Sequence, residues 1–225
     1  VTVSAAVEEQ TQAPAVAPGR SPLRVVLLAV IAVGLLLIGG ASAVVLGIGQ
    51  DETPTSDSVD AGFSRDMSVH HLQGVEMANL ALTQATDPQV RSLAFDISAT
   101  QTNQVGRMQG WLSLWGLPLS GGEQMAWMGD AHQHTANGLM PGMATEQELT
   151  ELQSLQGTAF DIRFLQLMIR HHQGGRAMAE YAAQHAQLEP VRSLARSIVD
   201  TQTAETTTMA AMLTALGGTP LPPPS

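Results

Sequence analysis

The sequence predicts an all-α protein in which duplicated helical hairpins form a four-helix bundle, preceded by one transmembrane helix. Three observations predict it. The stretch Met67-Ser68-Val69-His70-His71, followed by Met77-Ala78, returns as Met168-Ile169-Arg170-His171-His172, followed by Met178-Ala179, at an offset of 101 residues. From about position 60 onward, apolar residues recur at spacings of three and four, the period of one helix face. Upstream of that region, Val25 to Ile48 runs without a charge.

Residues 1–24 are rich in Ala, Pro, Thr and Gln and lack apolar periodicity, which predicts a disordered tail. The run 25–48 is long enough to cross a bilayer, which takes about 20 apolar residues. Arg20 and Arg24 precede it and Gln50-Asp51-Glu52 follow it. The positive-inside rule then gives a single-pass protein of the cell membrane, with a cytoplasmic N-terminus and an extracytoplasmic C-terminal domain. The competing reading is a cleaved signal peptide with Ala41-Ser42-Ala43 as its small-residue site. Signal h-regions span about 7–15 residues, and this run continues past that site, which favours an uncleaved anchor. Gly39, Ala43 and Gly47 form a small-residue ridge that could pair two such helices into a homodimer. Residues 49–59 are polar and acidic and form a linker.

The bundle region, 60–217, divides into repeat 1 (60–118), a connection (119–144) and repeat 2 (145–217), with a Pro-rich tail at 218–225. In repeat 1, Phe63, Met67, His70/His71, Gly74, Met77/Ala78 and Ala81 lie on one helix face. Asp87-Pro88 supplies an N-cap and a proline at N1 for a second helix, which ends near Trp115-Gly116. Repeat 2 opens on Thr145-Glu146-Gln147-Glu148, the spacing of a capping box. One long helix is expected from there, carrying Leu149, Leu152, Leu155, Phe160, Phe164, Met168, His171, Gly175 and Met178. Pro190 opens the last helix, which closes at Gly217-Gly218. The offset also aligns Val90-Arg91-Ser92-Leu93-Ala94 with Val191-Arg192-Ser193-Leu194-Ala195, and Thr100-Gln101-Thr102 with Thr201-Gln202-Thr203. Periodicity leaves open whether the two His-His elements share one interior or occupy mirrored surface positions.

Composition narrows the chemistry. There is no cysteine, so neither a disulfide nor a thiolate site can form. All ten basic residues are arginine, and the net charge of −10 lies after the apolar run, which argues against a nucleic-acid partner. All seven histidines and eleven methionines follow residue 60. The connection holds Met125, Met128, His132, His134, Met140 and Met143, together with Trp127. Imidazole with thioether, and no thiolate, suits copper better than the oxygen-seeking calcium or magnesium. Thioether favours Cu(I), with Ag(I) similar as a soft ion and Cu(II) also admitted by imidazole. A ferritin-like di-iron centre would require inward Glu and Glu-x-x-His pairs, which are absent. Asp66 aligns with Leu167 and Glu76 with Ala177, so the carboxylates beside the His-His pairs are not repeated. Methionine at helical spacing commonly fills cores, and Met108 and Met209 are read that way. His185, near a helix end, is read as solvated or capping, and the Met and Trp of the connection also suit a plug for the open end of the bundle.

The doubled Met-x-x-His-His-x5-Met-Ala element resembles the DUF305 family of exported bacterial proteins. So do the Val-Arg-Ser-Leu-Ala and Thr-Gln-Thr segments, the Trp111-to-Gly116 helix end and Met140-Pro141-Gly142-Met143. The resemblance covers about residues 60–217 and implies a ferritin-like bundle, with copper or silver binding attributed to some members. It implies ligand roles for Met67, His70, His71, Met77, Met168, His171, His172 and Met178, and extends them to His132, His134, Met140 and Met143. The expectation is a membrane-anchored, extracytoplasmic protein that binds copper, with Cu(I) favoured, for sequestration, tolerance or transfer. The alternatives are an accessory subunit of a larger membrane complex and a His-ligated redox metalloenzyme.

Overall fold

The computed structural model describes residues 21–45, 53–131 and 138–223, which are helical or irregular and contain no strand. The chain divides into two units, Val1–Glu52 and Thr53–Ser225. The first contains helix α1 (Pro22–Val45), whose residues Pro22–Ser42 are long and apolar enough to cross a membrane. Its apolar side chains occur on every face in sequence.

In the second unit, α2 (Val59–Gln84) and α3 (Pro88–Leu114) form one hairpin, and α5 (Gly157–His185) and α6 (Glu189–Ala215) form the other. The hairpins join through α2 against α5. The expected caps are present. Asp87 accepts from Gln89 N and Val90 N at the start of α3, and Thr145 and Glu148 form a reciprocal capping box. Both hairpins end in the same way. Gly116 and Gly217 take positive φ, and Leu117 N and Gly218 N donate back to Leu112 O and Leu213 O, a Schellman closure written twice.

Repeat 2 departs from expectation at its start. The capping box opens a short helix, α4 (Glu146–Ser154), and the chain breaks before α5. Leu155 is extended (φ −81°, ψ 154°) and Gly157 has φ +65°, a left-handed conformation that glycine adopts without steric penalty. Thr145 therefore starts a strut of about two and a half turns, and the His-bearing helix begins independently at Gly157.

A repeated carboxylate pair ties the hairpins together. Asp60 and Asp161, also related by the offset of 101, are both buried. Asp60 accepts from Gln187 N and Leu188 N in the α5–α6 turn, both at 2.9 Å. Asp161 accepts from Thr86 N (3.0 Å), Thr86 Oγ1 (2.6 Å) and Asp87 N (3.0 Å) in the α2–α3 turn. Each repeat thus satisfies the turn amides of the other. The lack of repeated carboxylates holds beside the His-His pairs but not for the domain.

Two apolar clusters fill the bundle. One contains Met77, Phe160, Phe164, Met168 and Met209, and the other Phe63, Met67, Met108, Met178 and Ile198. Because α2 and α5 run antiparallel, Met67 joins Met178 and Met77 joins Met168. Met108 and Met209 pack in the core as expected.

A buried row of four histidines

His70, His71, His171 and His172 are all fully buried, which resolves the open question in favour of a shared interior. They form a row in the order 71, 70, 171, 172, with ring centroids 6.4, 3.9 and 6.2 Å apart. The first histidine of each repeat meets its counterpart at the α2–α5 contact, while each second histidine turns to its own hairpin partner. His71 Nε2 lies 2.7 Å from Gln104 Oε1, and His172 Nε2 lies 2.7 Å from Glu205 Oε2. His171 Nε2 donates to the His70 carbonyl (2.9 Å), and His70 Nε2 donates to the Pro141 carbonyl (3.1 Å).

Oxygen acceptors on all four Nε2 atoms place the proton there and leave Nδ1 with a lone pair. None of the four Nδ1 atoms has a hydrogen-bond partner, although all are buried. Burial disfavours the imidazolium form. It lowers His70 to about 4, against a smaller opposing effect of the Pro141 carbonyl. His71 is lowered to about 3, by burial and then by the neighbouring His70. His171 is held well below its usual value by burial and by the other three imidazoles. These three are neutral at pH 7. A neutral imidazole with one nitrogen donating to oxygen and the other bare is the state in which histidine binds a metal.

Gln101 and Gln202, buried and also related by the offset, leave both amide atoms without a hydrogen-bond partner. Gly74 and Gly175 make room for them. A Cβ on Gly74 would run into the Gln101 carboxamide and come within 3.0 Å of His171 Cε1. On Gly175 it would meet Gln202 Oε1 and His70 Cε1, each at 3.0 Å. The repeated glycines and glutamines thus form one device, which brings an amide beside each of the two central imidazoles.

The end of the connection is strapped over the row. Met140-Pro141-Gly142-Met143 runs against α5 so closely that a Cβ on Gly174 would collide with the Pro141 carbonyl, and one on Gly142 with the Arg170 carbonyl. Gln73 pairs with both Ala144 O (2.9 Å) and Ala144 N (2.7 Å). Arg170 holds Glu148 through two bonds of 2.9 and 2.6 Å and reaches Met143 O at 3.4 Å. Burial works against the Glu148 carboxylate, but Arg170, the Thr145 amide and Arg163 hold its pKa below the usual range. The other end of the connection is fixed by Asp66, which accepts from Met125 N (2.7 Å) and Trp127 Nε1 (2.8 Å). Met125, Trp127 and Met128 are buried in the second cluster and act there as a plug.

Met67, Met77, Met168 and Met178 are fully buried, in pairs in the two apolar clusters. Met140 is buried and Met143 partly so, both in the strap. His132 and His134 lie outside the described residues. Among the described residues no three His, Cys, Asp or Glu side chains converge closely enough to hold a metal. The soft or borderline donor types present are the bare imidazole Nδ1 atoms and the buried thioethers. His185, exposed, stacks on Tyr181 (4.0 Å) and donates through Nδ1 to its carbonyl.

Sequence reasoning did not single out Gln104, Glu205, Gln73 or Pro141. Gln104 and Glu205 each lie 33 residues after their histidine and are related by the offset. That regularity was available, but Gln against Glu does not register as a repeat of identical residues.

The sequence model for the domain of unknown function DUF305 matches residues 60–213. A DUF305 protein from Streptomyces coelicolor is 43% identical over 75% of this chain and 99% of its own, with TM-score 0.69. A DUF305 fragment from Deinococcus radiodurans is 36% identical over 70% of this chain and 96% of its own, with TM-score 0.59. CopM in its Cu(I)-bound form is 26% identical over 71% of this chain and 98% of its own, with TM-score 0.56. No curated protein matches the chain.

Proposed function

The chain belongs to the DUF305 family, and from that premise we propose that it is an extracytoplasmic copper-binding protein held to the membrane by α1. It binds copper, preferentially as Cu(I), for sequestration, tolerance or transfer. The observation that carries this reading is the set of four buried Nδ1 atoms without partners, each on an imidazole whose Nε2 faces an oxygen. Leaving such groups unsatisfied costs about 1–3 kcal/mol each, so a ligand that uses them is strongly favoured. CopM, of related sequence and fold, has been solved with Cu(I) and with Cu(II).

His70, His71, His171 and His172 are the nitrogen ligands in this proposal, with Met67, Met77, Met168 and Met178 as thioether donors. Met140 and Met143, in the strap, are auxiliary donors, as are His132 and His134 of the connection. Copper bound there supplies soft-ion coordination chemistry, and a set of imidazole and thioether without thiolate suits Cu(I). The protein's part is to keep the imidazoles neutral, fix their tautomers and exclude water. Arg20 and Arg24 before the apolar run 25–48, with Asp51 and Glu52 after it, favour a cytoplasmic N-terminus and an external bundle.

The test is titration of the full-length chain in detergent with Cu(I) against a competing chelator. Replacing His70, His71, His171 and His172 with Ala should abolish high-affinity binding. Unchanged binding by that variant would sink the assignment.

A further inference from the structure

The row of histidines is nearly two-fold symmetric: the inner pair both donate to backbone carbonyls, but the groups facing the outer pair differ in charge. Offset partners are identical at Met67/Met168, His70/His171, His71/His172, Gly74/Gly175 and Gln101/Gln202. The group facing the outer histidine changes, from the neutral carboxamide of Gln104 to the carboxylate of Glu205, while the distance stays at 2.7 Å. Glu205 is also partly shielded, with its side chain 15% exposed, and no arginine is paired with it among the described ion pairs. Its charge is therefore directed at His172.

Resting on the copper-binding reading above, we infer that the two repeats form unequal metal sites and that Glu205 makes the His172 half the stronger one. A carboxylate accepting the Nε2 proton polarises the imidazole and raises the basicity of Nδ1, whereas an amide oxygen does so weakly. Loss of such a partner typically lowers metal affinity about 10–100-fold. A nearby negative charge also favours the more highly charged ion, so the His172 half holds Cu(II) better than the His71 half does. The His71 half is the neutral one, suited to Cu(I) and to release. Glu205 acts through His172 and is a positioning residue.

The experiment uses the full-length chain in detergent, as wild type, Glu205→Gln, Gln104→Glu and the double exchange. In metal-free protein, imidazole proton–nitrogen NMR should show a strongly deshielded Nε2–H at His172. The signal should move upfield in Glu205→Gln and appear at His71 in Gln104→Glu. In competition titrations with copper alone, wild type should give two constants. Glu205→Gln, which writes the first repeat's residue into the second, should weaken the tighter site about 10–100-fold and bring the two together. The loss should be larger for Cu(II) than for Cu(I), and the double exchange should restore two separated constants. If copper binds but Glu205→Gln leaves both constants within about twofold, the inference is overturned while the copper reading stands. Wild type that binds no copper overturns both. Should Gln104→Glu fail to fold, Glu205→Gln alone decides, because the pair is isosteric and Gln is already present at the equivalent site.

Discussion

Gly174→Ala tests whether the strap over the histidine row is seated as described. The added Cβ would collide with the Pro141 carbonyl and come within 2.8 Å of Gly142 N. These are backbone atoms, held by the Gln73–Ala144 pair and by Arg170, so they cannot swing aside as a side-chain tip would. Overpacking of this kind costs about 1–3 kcal/mol. Displacing Pro141 also strands His70 Nε2–H, which has no other partner, at about 1–3 kcal/mol. The better helix propensity of Ala returns about 1 kcal/mol. The net loss is about 3 kcal/mol, or a fall in Tm of roughly 6–12 °C for a domain of this size. Gly106→Ala is the control, because a Cβ at that exposed position of α3 meets nothing within 4 Å. It should stabilise by about 0.5–1 kcal/mol. Unfolding of the bundle can be followed by tryptophan fluorescence, since Trp111, Trp115 and Trp127 all lie in the second unit. Equal stability of the two variants would refute the seating of the strap.

Acid should destabilise the metal-free bundle as its buried histidines are forced to take up protons. A folded histidine pKa below the unfolded value means that the folded state binds fewer protons, so stability is full above about pH 6.5 and falls as pH drops towards the folded value. For His70, lowered to about 4, this amounts to roughly 3 kcal/mol over that window, and His71, lowered to about 3, adds more. Denaturation midpoints that stay level from pH 7 to 4.5 would contradict burial of neutral imidazoles. Copper binding, by contrast, should lose little affinity between pH 7 and 5.5, because the three shifted histidines have no proton to release; a competition titration across that range checks it. Asp161→Ala should cost about 3 kcal/mol by stranding two backbone amides and the Thr86 hydroxyl, and Asp60→Ala somewhat less, with two amides. Losses below 1 kcal/mol in urea unfolding would show that these caps are not what joins the hairpins.

The elements legible in the sequence were those coded locally. Asp87-Pro88, the Thr145–Glu148 box, Gly116 and Gly217 each cap or terminate a helix through groups a few residues away, as read, although the helix that Thr145 opens is short. The break at Leu155–Gly157 was not legible, because one glycine inside a periodic run is tolerated in a helix and its positive φ leaves no pattern in the apolar residues. Asp60 and Asp161 were visible as an offset pair, yet a carboxylate that caps another repeat's turn resembles any surface acid until the fold brings the two together.

By itself the sequence determined the duplication, the helical hairpins, the long apolar segment and the absence of thiolate chemistry. Those follow from composition, period and spacing, which are properties of neighbouring residues. Only the tertiary structure decided that His70 and His171 meet 3.9 Å apart, that Pro141 accepts from one of them, and that Gln104 and Glu205 face the two outer histidines. The physical reason is that each of these depends on α2 packing antiparallel against α5 and on a strap folding back across both. Such contacts join residues 33, 71 and 101 positions apart, beyond the reach of any helical period.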